Sequence, residues 1–543
     1  MKKIILSSLL FGGMVFTSCN SLDVAPPNSI TDEQVQEILN GTDQKKIDLV
    51  MSALASNLPT YFNLSGKTYT GYSSYPQNSF VDQDFIRSMM GNDVVLGNTT
   101  VATGTHAGYY QLATPFQASQ YTFPYWALPV DLYTQANKVL GYLPTDKVKS
   151  NTTLQKYRGM ALALRGFAYT LLMERFEPPY AQSGATGKGM PIYTEYKINP
   201  VAQISTAKET YDFILADLKE AVLLLQSSGV GYTDDPSDID VAVAQYLLAR
   251  AAIDYNDWQA AITACNDILS HYTEFIEDKY YGPADNDLEA LGDESMQYPA
   301  DSSAFYNIAV NPEVIMGFAY GSPGNNNLFY QFANVFAAGE AGYGQDYPCI
   351  DQRLYDKIDS RDFRKARFTT KTIDFTYVYN KDGQTQTNTI AKYANLKFGA
   401  TIAKTQQEQG KNQFFYGDNI VIRASEIYLM LAEAYAQSGQ DAQAKTTLNK
   451  LLAARTKAGE APLTCDTYQG MAGMSALQMV QLQTRIEMWL EKGLEFYNNR
   501  RWNIAVDRVG SANHYSNEKK LSVSDMNIEV PESELNANGY WNN

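Results

Sequence analysis

The side chains best placed to do chemistry in this sequence are tyrosines set among amide and acidic residues. The chain has 39 Tyr but only 5 Trp. Many of the Tyr fall in two stretches rich in Gly, Ser and Asn. The first holds Tyr69, Tyr72, Tyr75, Phe80, Tyr109 and Tyr110; the second holds Tyr298, Tyr320, Phe329, Tyr330, Tyr343 and Tyr347. Asn78, Asn92, Asn325, Asn326 and Asn327 are close to them in sequence. Sugar rings present apolar C–H faces on which a flat aromatic stacks, while amides, carboxylates and Arg bond the hydroxyls. Tyr supplies rigid contact area and a polar tip at small entropic cost. Any single Tyr reads first as a loop aromatic packed on a scaffold, so the case rests on the set. Tyr72, Tyr75, Tyr109, Tyr110, Tyr298, Tyr320 and Tyr330 are the candidate ligand-binding residues. Trp126, Trp258, Trp489, Trp502 and Trp541 all fall outside both stretches. That keeps an oligopeptide open beside an oligosaccharide, since backbone amides pair equally well with Asn- and Tyr-rich loops.

Catalytic and metal signals are poor. His106, His271 and His514 form no HExxH and no pair at metal-ligand spacing. Gly187-Lys188-Gly189 lacks the Ser or Thr that follows a P-loop Lys, and Gln182 stands where the earlier Gly belongs. Asp285-Asn286-Asp287-Leu288-Glu289 clusters hard oxygens, but Ala290 and Met296 replace the Gly and Glu of an EF-hand. It reads as a solvated acidic loop. A glycosidase pair among the 59 Asp and Glu would be assembled only by folding. The expectation is a binding protein, not an enzyme, with no cofactor and no metal.

Loops of this kind need a frame, and residues 420–455 supply its clearest part. Ile427, Leu431, Ala434 and Tyr435 recur at helical spacing, then Ala444, Leu448, Leu451 and Leu452 do. Small Ala432 permits close approach, Gly439 ends the first helix and Asp441 can cap the second. The order matches a tetratricopeptide hairpin. A second copy runs from Leu248 through Trp258 to Ile262, with Cys265 on its apolar face as a buried filler. One hairpin cannot bury its own apolar face, so two copies imply a stacked scaffold. Capping boxes at Thr31–Gln34 and Thr206–Glu209 open further helices, the first reaching about Leu58. Residues 123–142 and 154–176 are helical, and Glu177-Pro178-Pro179 stops the second of these. A final helix runs from Ala476 to Arg500. Helical periodicity is absent from about 59–122 and 274–412, apart from a hairpin signal where Phe375–Tyr379 precedes Lys381-Asp382-Gly383. The fold class expected is mainly α: tetratricopeptide-like helical hairpins at about 123–272 and 420–502, long irregular segments and a few short strands.

The chain's beginning carries an address. Lys2 and Lys3 precede the apolar run Ile4–Phe16, which is too short to span a bilayer and reads as a signal peptide over 1–18. Cys19 sits where a bacterial lipoprotein is cleaved and acylated, and residues 19–30, with Pro26-Pro27, read as an extended tether. Residues 31–543 then form one body. A net charge of −16 argues against nucleic acid or an anionic membrane surface as a partner.

Several of these pieces together resemble the SusD/RagB family of outer-membrane nutrient-binding lipoproteins of Bacteroidota. They are the lipoprotein start; Trp126, Tyr133 and Ala136-Asn137; Leu164-Arg165-Gly166-Phe167-Ala168-Tyr169; Arg423 to Ala434; Arg500-Arg501-Trp502; and Pro531, Glu534 and Asn536 in the tail. Lys492-Gly493-Leu494-Glu495 and Asn498 depart from the family's Arg- and Asp-bearing stretch, which marks a divergent member. The resemblance implies a cell-surface position and an outer membrane reached through the lipid on Cys19. It also implies docking on a SusC-like TonB-dependent transporter. An adaptor with a soluble protein partner, as tetratricopeptide arrays often are, is the rival class.

Overall fold

Helix starts fall where side chains can close them. Thr31 and Gln34 form a reciprocal capping box at the head of α1 (Asp32–Asn40). The computed structural model describes residues 30–63, 80–96, 112, 119–143, 145–198, 200–284, 296–297, 303–305, 307–319, 338–339, 348–378, 383–398, 400–402, 418–514 and 520–542. α1 is followed by α2 (Gln44–Ala55), so the expected stretch to Leu58 is two helices broken at Gly41. Next come α3 (Phe80–Met90), α4 (Ser119–Tyr142), α5 (Thr152–Phe176), α6 (Ala207–Ser227), α7 (Val241–Tyr255) and α8 (Trp258–Leu269). The last four long helices are α9 (Ala424–Gln437), α10 (Asp441–Ala454), α11 (Ala476–Glu487) and α12 (Leu494–Arg501). From α4 to α10 each helix packs on the next, which is the stacked-hairpin scaffold expected from the sequence.

Side-chain size sets the closest contact in this stack. α5 is buried nearly all round, and Gly159 and Gly166 lie on the line where α6 crosses it. A Cβ at Gly166 would lie 2.6 Å from the Leu218 side chain, and one at Gly159 would lie 2.8 Å from Leu225. Both glycines are therefore required for the approach. Pro129 inside α4 has no N–H to give the Tyr125 carbonyl; Arg175 Nη1 donates to that oxygen at 3.2 Å instead. The last carbonyls of α5 are likewise taken from outside: Arg500 donates to Glu174 O, and to Glu177 O at 2.9 Å.

Two apolar cores result, and α9 divides them. Its Ile427, Leu431 and Ala434 join the core of α1, α2 and α4–α8. Its Leu429 and Ala432 join the core built by α3, α10, α11 and α12. Strands are short: β1 (Val94–Leu96), β2 (Lys188–Pro191), β3 (Ile204–Thr206), β4 (Val314–Phe318), β5 (Pro348–Ile350), β6 (Ile373–Val378), β7 (Thr385–Ile390) and β8 (Asn419–Arg423). They pair antiparallel as β1–β5, β2–β3, β4–β8 and β6–β7, the last being the expected hairpin.

Four sequence expectations need correction. Residues 59–122 contain α3, whose Phe85, Ile86, Met89 and Met90 are buried together with Gln83, Arg87 and Ser88. A helix enclosed on all sides shows no apolar stripe. Ile420–Arg423 belongs to β8, so α9 begins only at Ala424. Asp441 does not cap α10; Gln440 occupies that place without a side-chain bond, and Asp441 lies in the first turn. The expected helix 476–500 is broken between α11 and α12, where Leu490, Lys492 and Gly493 are left-handed. The carbonyls freed there are collected by cations: Lys397 Nζ donates to Glu487 O at 2.9 Å and to Trp489 O at 3.1 Å.

Candidate functional site

A cleft opens where both irregular segments join the scaffold. Phe62 and Asn63 stand at one end of residues 64–79 and Phe80 at the other; Phe305 and Asn419 belong to the second segment and its exit. Phe62, Phe80, Phe167 and Phe305 line a cavity of about 80 Å³, with Asp84, Arg175, Tyr246, Arg250, Asn419, Glu491, Lys492 and Tyr497. Phe62 stacks on Phe167 with centroids 4.9 Å apart and planes 10° from parallel, and Phe80 lies 5.8 Å from the same ring. Asn419 Nδ2 donates to Asn63 Oδ1 at 2.9 Å, tying the two segments' roots together. One wall is thus aromatic.

The other wall is charged and only partly satisfied. Burial pushes the Asp84 carboxyl up to about 7, against the pull of Arg175, Arg250 and Lys492. Arg175 Nε and the Tyr497 hydroxyl are buried and have no hydrogen-bond partner among the described residues. Lys492 reaches Glu426, whose other oxygen accepts from the Tyr246 hydroxyl at 2.8 Å. The half-buried members of this lining include Phe80, Asp84, Arg250, Asn419 and Lys492, so a ligand at its mouth meets an aromatic ring beside an amide and groups of both charges. Those groups suit a polyhydroxylated molecule with an apolar face. Arg250 and Tyr497 also line a second cavity of about 60 Å³, walled by Glu174, Asp254, Glu433, Arg500 and Arg501. There Arg250 grips Glu174, and Arg501 lies between Glu433 and Asp254, 3.4 Å from the latter.

Behind the cleft, four cations face four carboxylates in the interior. Arg423 Nη1 lies 2.9 Å from Glu313 and 2.7 Å from Glu487, and its Nη2 lies 2.7 Å from Glu491. Arg455 Nη2 lies 2.6 Å from Glu313 and 2.9 Å from Glu487. Arg364 bridges Asp362 and Glu487 at 2.6 and 2.8 Å, and Lys397 meets Glu491 at 2.5 Å. Burial alone would raise these carboxyls, but the guanidiniums of Arg455, Arg423 and Arg364 hold Glu487 well below its usual range. The cluster joins β8, α10, α11 and the residue before β4, so it fixes the floor that Glu491 and Phe305 present to the cleft.

The candidate ligand residues Tyr72, Tyr75, Tyr109, Tyr110, Tyr298, Tyr320 and Tyr330, like Cys19, lie outside the described residues. So do His106 and the acidic run 285–289. Of the loop aromatics named from sequence, Phe80 is described, and it belongs to the cleft. Asn92 is a structural residue: its Nδ2 donates to Glu495 at 3.2 Å and its Oδ1 accepts from Asp507 N at 2.8 Å. His271 stacks on Tyr232 with centroids 3.6 Å apart. His514 is buried with Nε2 3.0 Å from Asn92 O, and burial beside Arg508 pushes its imidazole down to about 3. Gly189 is a packing residue, since a Cβ there would lie 2.3 Å from Thr210 Oγ1. Phe62, Phe167, Phe305, Asp84 and Asn419 were not singled out from sequence as ligand residues. Their one signal is position, in that most sit where helical periodicity gives way.

Stacked helical hairpins with an aromatic and charged cleft beside them define a mainly α, tetratricopeptide-like class of protein. A family profile described as "SusD family" matches residues 272–540, and one described as "Starch-binding associating with outer membrane" matches residues 22–235. The chain belongs to the SusD/RagB family, as a divergent member. SusD-like protein P38 of Formosa agariphila is 25% identical over 381 residues, covering 66% of this chain and 68% of the relative. A solved SusD-like carbohydrate binding protein from Bacteroides vulgatus is 21% identical with a TM-score of 0.64, covering 90% of this chain and 97% of its own. A SusD superfamily protein from Bacteroides thetaiotaomicron is 18% identical with a TM-score of 0.61, covering 94% and 99%. At those identities the structural likeness establishes the fold.

Proposed function

We propose that this chain is a cell-surface lipoprotein that captures oligosaccharide without cleaving it and passes it to a SusC-like TonB-dependent transporter in the outer membrane. In this reading residues 1–18 are removed, Cys19 is acylated, residues 19–30 are the tether and residues 31–543 are the binding body. Two acyl chains on one N-terminal residue suffice for stable anchoring. The observation that carries the reading is the cleft: its ring wall of Phe62, Phe80, Phe167 and Phe305 stands at the roots of the segments bearing the candidate tyrosines. In this reading Tyr72, Tyr75, Tyr109, Tyr110, Tyr298, Tyr320 and Tyr330 hold the oligosaccharide by stacking on its rings, each contact contributing about 0.5–1.5 kcal/mol. Support also comes from the relatives, which include a SusD-like carbohydrate binding protein and a family described as starch-binding. The mixed charges of Asp84, Arg250 and Lys492 favour a second reading, an oligopeptide whose termini they would meet. Calorimetric titration with neutral oligosaccharides and with a protein digest separates the two. Heat from sugars with products unchanged supports the first reading, and heat from peptides alone replaces it with the second.

A further inference from the structure

A wider cleft, of about 1190 Å³, is walled by α1, the end of α2, α4, α5 and the residues that follow β2. It shares no lining residue with the aromatic cleft. From α5 it takes Arg158 and Arg165, whereas Phe167, Leu171 and Arg175 belong to the other. Pockets for small molecules measure about 300–1,000 Å³, so this one has room for a chain of several rings. Leu54 and Leu140 are half-buried in its lining and provide apolar surface, and Tyr196 is 48% exposed. Lys138 Nζ lies 4.8 Å over one face of the Tyr196 ring, and ring surface remains open to a ligand.

Most charges in this lining already have a partner. Arg158 Nε lies 2.7 Å from Glu220, Arg165 Nε 2.7 Å from Asp217, and Glu195 2.9 Å from Lys197. That leaves Asp32 and Glu33 against Lys138, too small an excess to select a strongly charged ligand. Hydrogen-bonding capacity is left over as well. The side chains of Glu33, Asn57, Lys138 and Tyr196 make no hydrogen bond among the described residues. The cleft therefore offers a carboxylate, an amide, an ammonium and a phenol, donors and acceptors together, beside an open ring. A sugar hydroxyl both gives and takes a hydrogen bond, so it can use either kind. The helical walls bond their own backbone groups, and a peptide strand finds no sheet edge on them to join.

We propose that this cleft is a second, weaker site for neutral oligosaccharide, with Tyr196 as its stacking ring and Glu33, Asn57 and Lys138 bonding hydroxyls. The ligand class rests on the proposed function. A single exposed ring stands here against the several tyrosines of the loop segments. The site therefore works at millimolar sugar, below the affinity that a calorimetric titration of the first site reads. Its effect is on long chains: rings held here raise the local concentration of the rest of the chain for the loop tyrosines.

The test is saturation-transfer NMR on the intact mature chain with millimolar maltoheptaose and cellohexaose, neutral glucose chains of opposite linkage. It is repeated on the chain with alanine at Tyr72, Tyr75, Tyr109, Tyr110, Tyr298, Tyr320 and Tyr330. To that chain Tyr196→Ala is then added, or as a control Tyr540→Ala, which replaces another exposed tyrosine. The expected result is transfer to sugar protons that survives the seven alanines and Tyr540→Ala and is lost with Tyr196→Ala. Loss of all transfer in the seven-alanine chain overturns the second site and leaves the first standing. Transfer that survives Tyr196→Ala places the binding elsewhere and overturns the assignment. No transfer and no heat with the intact chain overturns the proposed function and this site with it. Transfer to peptides of a protein digest, removed by Tyr196→Ala, with none to either sugar, gives the cleft to a peptide and overturns the proposal.

Discussion

Replacing Glu487 with Gln tests the buried charge cluster at its centre. Glu487 is fully buried and touches Arg364, Arg423 and Arg455 at 2.8, 2.7 and 2.9 Å. Gln fills the same volume but removes one negative charge, and its amide NH₂ is brought against guanidinium donors. The cluster then holds four cations against three carboxylates, with the excess charge buried in the interior. Breaking a buried pair in this way costs about 3–5 kcal/mol. Unfolding entropy near 2.1 cal/mol/K per residue over 543 residues makes each kcal/mol worth about 1 °C in Tm. Glu487→Gln should therefore lower Tm by about 3–5 °C, measured by calorimetry at neutral pH. Glu460→Gln, on the exposed turn after α10, is the control and should change nothing. Equal Tm values for Glu487→Gln and wild type would refute the view that this cluster holds β8, α10 and α11 together.

Three further outcomes are expected. Burial raises Asp84 and Glu177 to about 7 and Glu495 to about 8; the folded chain keeps those protons where the unfolded chain has released them, so stability falls as pH rises from about 5 to 8. Glu487 and Glu313 are held low, so their contribution is present above the ordinary Glu range and lost as pH falls through their folded values, placing the Tm maximum near pH 5. Asp84→Asn should flatten part of the decline above pH 5 in a Tm-against-pH series; an unchanged slope would contradict the burial argument. Gly470→Ala puts a Cβ 1.9 Å from the Lys357 carbonyl oxygen and should cost about 1–3 kcal/mol by chemical denaturation. Phe167→Ala removes the ring on which Phe62 and Phe80 lean and should cost about 3–5 kcal/mol. It should also weaken oligosaccharide binding in the variant that remains folded.

What was legible in the sequence was what is local. Gly439, with φ +76°, ends α9 where the spacing predicts, and the Thr31 and Thr206 capping boxes open their helices. The α7–α8 hairpin turns at left-handed Asn256, followed by the Asp257 cap. What was not legible depends on distant partners. Glu313, Arg364, Lys397, Arg423, Arg455, Glu487 and Glu491 form one cluster although they are spread through much of the C-terminal half. No window of sequence contains it. The break after α11 follows from the same cluster, because its carbonyls are bonded by Lys397 and Arg423. α3 carries no stripe because every face is covered. The cleft was half legible: Phe80 belonged to the aromatic set, whereas Phe62, Phe167 and Phe305 reach it from a 3₁₀ turn, a core helix and a loop.

The central claim, capture of an oligosaccharide without cleavage, is tested most directly by calorimetric titration of the intact mature chain with a length series of neutral oligosaccharides, with chromatography of the cell contents afterwards. The expected result is saturable heat, affinity that rises with chain length as further rings find aromatic contacts, and sugars recovered unchanged. Alanine at Tyr72, Tyr75, Tyr109, Tyr110, Tyr298, Tyr320 and Tyr330 together should abolish the heat and leave Tm in place. Heat with the protein digest and none with any sugar would contradict the account, and shortened sugars in the cell would contradict it equally.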